Sequence, residues 1–134
     1  MINLDTNTAI ALIAEDSTVR HQLRAFVQDQ QLVMAKTAFD ELVNIVKYSG
    51  GSSERARTER FLQRVTVVAD NPSIAAQALQ ATRSLDPNDI IILGTGDHMG
   101  IITMTADAKA VRAASAQGVD FNVYLHPSYP LTGC

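Results

Sequence analysis

The sequence has no tryptophan, a single cysteine and only 5% aromatic residues. One thiol, Cys134, closes no intramolecular disulfide and builds no thiolate metal site by itself, so oxidative stapling and zinc-finger chemistry are excluded. Histidine is also scarce. His21, His98 and His126 lie far apart without zinc-ligand spacing, and each is expected at the surface or an interface. No apolar run approaches the roughly 20 residues of a membrane-spanning helix, and the opening Met1-Ile2-Asn3-Leu4-Asp5 has neither the basic start nor the apolar stretch of a signal peptide. The expectation is a cytoplasmic protein with no membrane partner. The serines lack a nucleophile-elbow context, which leaves serine-hydrolase chemistry unsupported. Gly94-Thr95-Gly96 lacks the lysine of a Walker motif, and a plain loop is expected there.

What the chain does contain is enough apolar residue to fold. At 134 residues, 46% hydrophobic and 19% charged, it is expected to form one domain over 1–134, with 126–134, which carries two prolines, as a surface tail. The net charge of −3 excludes a molecule-wide basic surface, so a nucleic-acid partner must be met locally. The positive charge is concentrated: Lys47, Arg55, Arg57, Arg60 and Arg64 supply five of the eleven Lys and Arg. On a helix over 54–63, Arg57, Arg60 and Arg64 share one face. Such a face is either solvated and paired with Glu54 and Glu59, or a grip on a phosphate backbone to which Lys109 and Arg112 add.

The hydrophobic pattern alternates strand and helix. Ile2 to Leu4 reads as a strand ending at Asp5, followed by a helix through Ala9 to Ile13 and a second capped by Ser17. Leu32 to Lys36 reads as a buried strand, with Thr37 and Asp40 as a capping box for the next helix. Tyr48 to Ser53 reads as a loop, Val65 to Ala69 as a strand, and Ile74 to Leu85 as an alanine-rich helix. A helix starts after Pro87, a strand follows near Gly100 to Thr105, Asp107 opens a last long helix, and Phe121 to Leu125 is a final strand. This order predicts a three-layer α/β/α sandwich with a central parallel sheet, whose functional groups gather beyond the strands' carboxyl ends.

On these assignments Asp5 and Asp107 lie at that edge, and Glu41 and Asp89 sit in the first turns of helices that point toward it. Four carboxylates in one place repel one another unless protons or a divalent cation neutralise them. A hard cation with oxygen ligands, Mg2+ or Mn2+, polarises a bound water and leaves room for a phosphate oxygen, which is the chemistry of phosphodiester hydrolysis.

The strand ending in Asp5-Thr6-Asn7, the Thr37-Ala38-Phe39-Asp40-Glu41-Leu42 segment, the Asp89-Ile90-Ile91-Ile92-Leu93 helix start and the Thr103-Met104-Thr105-Ala106-Asp107 strand end together resemble the PIN domains, metal-dependent ribonucleases that include the VapC-type toxins. The resemblance covers nearly the whole chain. It implies a PIN-like fold and a Mg2+- or Mn2+-dependent endoribonuclease in which Asp5, Glu41, Asp89 and Asp107 hold the metal. Thr6 and Asn7 would then brace Asp5, and Thr105 would orient the site. RNA as substrate, a small antitoxin partner and a homodimer are further implications. The chain departs from the pattern in two places: Ala108-Lys109-Ala110 stands where a phenylalanine is usual, and Gly94-Thr95-Gly96-Asp97-His98 interrupts the helix from Asp89. These departures sustain a second reading, a catalytically degenerate PIN-like module that binds nucleic acid or protein. Haloacid dehalogenase-like phosphatases and receiver domains fit less well, since Asn7 occupies the phosphatases' second Asp position and Val65 to Asp70 makes a poor receiver site.

Overall fold

In the computed structural model, which describes residues 1–134, every strand pairs in parallel with its neighbours. Strands β1 (Ile2–Leu4), β2 (Leu32–Ala35), β3 (Val65–Val68), β4 (Ile102–Thr105) and β5 (Val123–Leu125) form one sheet in the order β3-β2-β1-β4-β5. Seven helices accompany them: α1 (Thr6–Ile13), α2 (Thr18–Val27), α3 (Lys36–Ser49), α4 (Ser52–Leu62), α5 (Ile74–Gln77), α6 (Pro87–Met99) and α7 (Ala108–Ala116). Central strands covered on both faces require side chains that tolerate burial at every position, and β1 and β2 are buried throughout. The edge strand β3 is exposed at its middle residues.

Side chains alternate across a strand, so Ile2 and Leu4 point to one face and Asn3 to the other. Ile2 and Leu4 join a core with Ala9, Ile13, Leu23 and Leu42, which belong to α1, α2 and α3. On the opposite face Asn3 donates to the Ile92 carbonyl of α6 and to the hydroxyl of Thr103, its registered neighbour on β4, each at 3.0 Å. A second core of Ala76, Leu85, Leu93, Ala110, Ala114 and Phe121 joins α5, α6 and α7. The sheet thus lies between two helical layers, as the alternation predicted.

Several local expectations change. The glycine-rich segment is no interruption, because α6 runs unbroken through Gly94, Thr95 and Gly96, all buried. A Cβ on Gly96 would lie 2.2 Å from Thr103 Oγ1, and one on Gly94 would lie 2.6 Å from the Ala76 Cβ, so these glycines let the helix backbone approach the sheet and α5. The alanine-rich helix stops after one turn at Gln77. Its expected continuation is instead held by the Gln117 side chain, which accepts from the Gln80 N–H and donates to the Gln80 carbonyl, and by the burial of Leu85. Thr37 is not a cap: α3 starts at Lys36, Thr37 bonds Asp70, and Asp40 pairs with Lys36.

The segment 126–134 does not trail over the surface. Glu54, expected among the solvated charges, is fully buried, and its carboxylate accepts the N–H groups of Thr132 and Gly133 at 3.0 and 2.9 Å. Tyr129 and Leu131 pack against the main core. His126, expected at the surface or an interface, is buried within the chain; its Nε2 lies 2.6 Å from the Thr8 hydroxyl and its Nδ1 2.8 Å from the Pro127 carbonyl.

Candidate functional site

The chain lays down β1, β2 and β3 in one direction and then crosses back to place β4 on the other side of β1. At such a reversal the flanking helices diverge beyond the strands' carboxyl ends and leave a crevice. Asp5 directly follows β1, and Asp107 lies two residues beyond β4, so both stand at this crevice.

Asp5 is 6% exposed and caps α1, one oxygen accepting the Thr6 N–H at 2.7 Å. The other accepts the Thr105 hydroxyl at 2.6 Å. That hydroxyl oxygen in turn accepts the Asp107 N–H at 3.0 Å, which ties the two acidic segments together. Asp107 caps α7 through the Ala110 N–H at 3.0 Å. Asn7 Oδ1 accepts the Ala106 N–H at 2.9 Å, clamping the start of α1 to the end of β4. Thr6 also reaches across to α3, where its hydroxyl donates to Glu41 at 2.7 Å, and Asn88 Nδ2 donates to the other Glu41 oxygen at 3.2 Å. Glu41 therefore bridges α1, α3 and α6. It lies in the second turn of α3, not the first, so complementing the helix dipole does not explain its place. Asp89 forms a capping box with Asp86 at the start of α6, the Asp86 N–H donating to Asp89 at 3.0 Å and the Asp89 N–H to Asp86 at 2.9 Å.

The acids act on one another. Burial pushes the Asp5 carboxyl up to about 6; the Thr105 and Thr6 hydrogen bonds oppose this, and the Glu41 and Asp107 charges add to it. Burial likewise pushes Asp89 up to about 7, with the charges of Asp86, Asp107 and Asp5 contributing and the Asp86 N–H opposing. No ion pair relieves the group: the two salt bridges of the molecule are Lys36 with Asp40 and Arg57 with Glu15. Arg83, Ser84, Asp86, Asp89, Asp107 and Lys109 line a cleft of ≈ 330 Å³ with no apolar side chain in its wall.

These donors suit a hard divalent cation in kind. They are carboxylate oxygens, mutually repelling, and each engaged oxygen keeps a lone pair beyond the hydrogen bond it accepts. Their spacing is wider than expected: no three His, Cys, Asp or Glu side chains stand close enough to ligate one ion. The physical reason is that Asp5, Asp89 and Asp107 each satisfy the free N–H groups of a helix N-terminus, which holds them to their own helices.

The basic residues divide between two edges of the sheet. Lys109 lines the acidic cleft and Arg112 is exposed on α7. Arg57 instead donates to the Ile13 carbonyl and pairs with Glu15, at the far end of α1 from Asp5. Arg64 directly precedes β3 and donates to the Val27 carbonyl, at the sheet's amino edge. Arg60 is exposed on the same α4. The arginine face therefore does not supply the acidic crevice with positive charge, because α4 delivers it to the opposite edge. Sequence reasoning passed over Asn88 and Arg83. Asn88 had a signal in the Asp86-Pro87-Asn88-Asp89 turn, whereas Arg83 had none.

Solved structures share this architecture over nearly its full length. VapBC-1 from nontypeable Haemophilus influenzae matches with a TM-score of 0.63 and 20% identity, over 93% of this chain and 98% of that one. VapBC2 from Rickettsia felis, solved bound to a DNA fragment from its promoter, matches at 0.62 and 16%, over 96% and 100%. FitAcB from Neisseria gonorrhoeae matches at 0.61 and 17%, over 92% and 96%. At these identities the likeness establishes the fold, the PIN-like fold of the VapC and FitB toxins. The family model described as "Protein of unknown function (DUF1308)" matches residues 4–134, and the chain belongs to that family.

Proposed function

We propose that this protein is a Mg2+- or Mn2+-dependent endoribonuclease that hydrolyses RNA phosphodiester bonds, with Asp5, Glu41, Asp89 and Asp107 as its metal-holding acids. The observation that carries this reading is the gathering of four carboxylates at the topological switch point with no ion pair to neutralise them. Burying like charges together is costly, and a structure that retains them gains when a cation arrives. The metal, when bound, supplies a Lewis acid for the phosphate and a water of lowered pKa. The chain's own residues set the stage. Thr105 and the Thr6 N–H hold both Asp5 oxygens, while the Thr6 hydroxyl and Asn88 hold both Glu41 oxygens, so neither acid is free to turn into solvent. Lys109 and Arg83 line the cleft wall and would meet phosphate oxygens, with Arg112 further along α7. By analogy with the toxin complexes that share the fold, we further propose a homodimer and an antitoxin-like protein that covers the acidic cleft.

One observation favours a second reading, a PIN-like module without catalysis: the acids stand too far apart to ligate one ion, and three of them serve as helix caps. Cleavage of a panel of structured and single-stranded RNAs separates the two. The nuclease predicts cleavage with Mn2+ that is lost in EDTA and in Asp5→Asn and Asp107→Asn. RNA retained on a filter but left intact by folded wild-type protein, with or without Mn2+, would establish the binding module instead.

A further inference from the structure

At the amino edge of the sheet, remote from the acidic crevice, three arginines share one small cavity. Arg20 and Arg24 come from α2 and Arg64 from the residue before β3, and the apolar part of the wall includes Leu12, Val27 and Phe61. None of the three guanidinium groups forms a salt bridge. Glu15, whose charge feels that of Arg20, is already engaged by Arg57 and Ser53. Arg64 is fixed across the carboxyl end of α2 by its bonds to the Val27 and Gln28 carbonyls at 3.2 and 3.4 Å.

Arg20 carries the second observation. Its Nε is buried and has no hydrogen-bond partner. A buried N–H without an acceptor is rare in folded proteins and costly, because water has been stripped from it with nothing in exchange. A surface arginine ordinarily avoids this by swinging its head into solvent. Here Arg20 is pinned at its buried Nε while it lines the cavity beside two other cations, an arrangement in which an acceptor-rich anion, met by the accessible parts of the three guanidinium groups, would neutralise the crowded positive charge.

We propose that this cavity binds a compact organic phosphate, a phosphate group carried on an apolar or aromatic body, of the nucleoside monophosphate class. Guanidinium forks match phosphate oxygens in pairs, and three of them without a carboxylate answer a dianion better than the single charge of a carboxylate. Phe61, Leu12 and Val27 give the attached ring a dry surface. The volume of ≈ 140 Å³ holds a phosphate and the start of its ring, not a threaded polymer or a docked helix. This site is independent of the acidic one, since it lies at the opposite ends of the strands and shares no residue with it.

The test is calorimetric titration of the full chain with adenosine monophosphate, inorganic phosphate, adenosine and benzoate. Adenosine monophosphate is expected to bind at least tenfold more tightly than inorganic phosphate, with adenosine and benzoate silent. Arg24→Glu, at an exposed position where folding is not at stake, and Arg20→Gln, checked by circular dichroism, should each weaken binding tenfold or more. Asp5→Asn should leave it unchanged. Absence of adenosine monophosphate binding, binding indifferent to Arg24→Glu, loss in Asp5→Asn, or equal binding of benzoate would each overturn the proposal.

Discussion

Two buried carboxylates in this molecule have opposite fates. Glu54, at the junction of α4 with the end of α1 and with residues 132–134, is fully buried. Burial alone would raise its pKa, but hydrogen bonds from the N–H groups of Thr132, Glu15, Gly51 and Gly133 hold it below the ordinary value. Asp5 at the sheet's carboxyl edge is nearly as buried, yet receives only one N–H and one hydroxyl and faces other acids, and its pKa rises to about 6. Burial raises both carboxyls and is the largest influence on Asp5; at Glu54 four N–H donors outweigh it, whereas at Asp5 two donors do not and the neighbouring acids add to it. A carboxylate with four backbone donors organises the chain around itself. One with two donors and acidic neighbours is left short of positive charge.

That contrast makes ranked predictions. Glu54→Ala strands several buried N–H groups at once and should cost about 4 kcal/mol, given roughly 1–3 kcal/mol for each unsatisfied group with partial relaxation. Urea denaturation of the two proteins measures it, and a loss below about 1 kcal/mol would mean that the Glu54 cluster is ornamental. Asp5→Asn should act in the opposite direction. The folded-state pKa of about 6 lies above the unfolded value of 3.8, so the folded chain holds this proton more tightly. The stability this provides is complete below the unfolded pKa and is lost as pH rises through about 6. In metal-free buffer at pH 8, Asp5→Asn should therefore stabilise the protein by up to about 3 kcal/mol, the free energy of a two-unit shift, less what the exchanged hydrogen bonds lose. Near pH 3.5 the difference should vanish, and denaturation at both pH values checks the sign. The smallest effect belongs to a carboxylate of neither kind: Asp40, exposed and paired with Lys36 one turn away on α3. Lys36→Ala should change stability by no more than about 0.5 kcal/mol, the ordinary value of an exposed i,i+4 pair. A larger loss in the same denaturation series would show that surface pairs on α3 matter as buried ones do.

Three of the acids, Asp5, Asp89 and Asp107, were legible because each lies where a period changes, whereas Glu41 lies inside α3. Asp5 ends an apolar strand, Asp89 follows Pro87 at a helix entry, and Asp107 separates a strand from an alanine-rich helix. Such positions are punctuation, and punctuation is local. Glu54 was illegible because three of its four donors come from residues 15, 132 and 133; only Gly51, the N-cap of its own helix, is local, and a capping box alone does not predict full burial. The arginine spacing was read as one helix face, but α4 ends at Leu62, before Arg64, and spacing along a helix does not say which edge of the sheet that helix will meet. Gly94 and Gly96 misled for a related reason. Glycine disfavours an isolated helix by about 1 kcal/mol per residue, and that cost is accepted here only because Thr103, Asn3 and Ala76 lie where a Cβ would be.

The sequence by itself determined the succession of strands and helices, the parallel sheet, and the placing of Asp5 and Asp107 at its carboxyl edge, because hydrophobic period, caps and turn residues act within a few positions of chain. The tertiary structure alone decided that β4 returns beside β1 to open the crevice, that residues 126–134 fold back onto Glu54, and that Arg20, Arg24 and Arg64 meet at the far edge. Each of these joins residues far apart in the chain, and such contacts are set by the packing of whole layers, which no local pattern encodes.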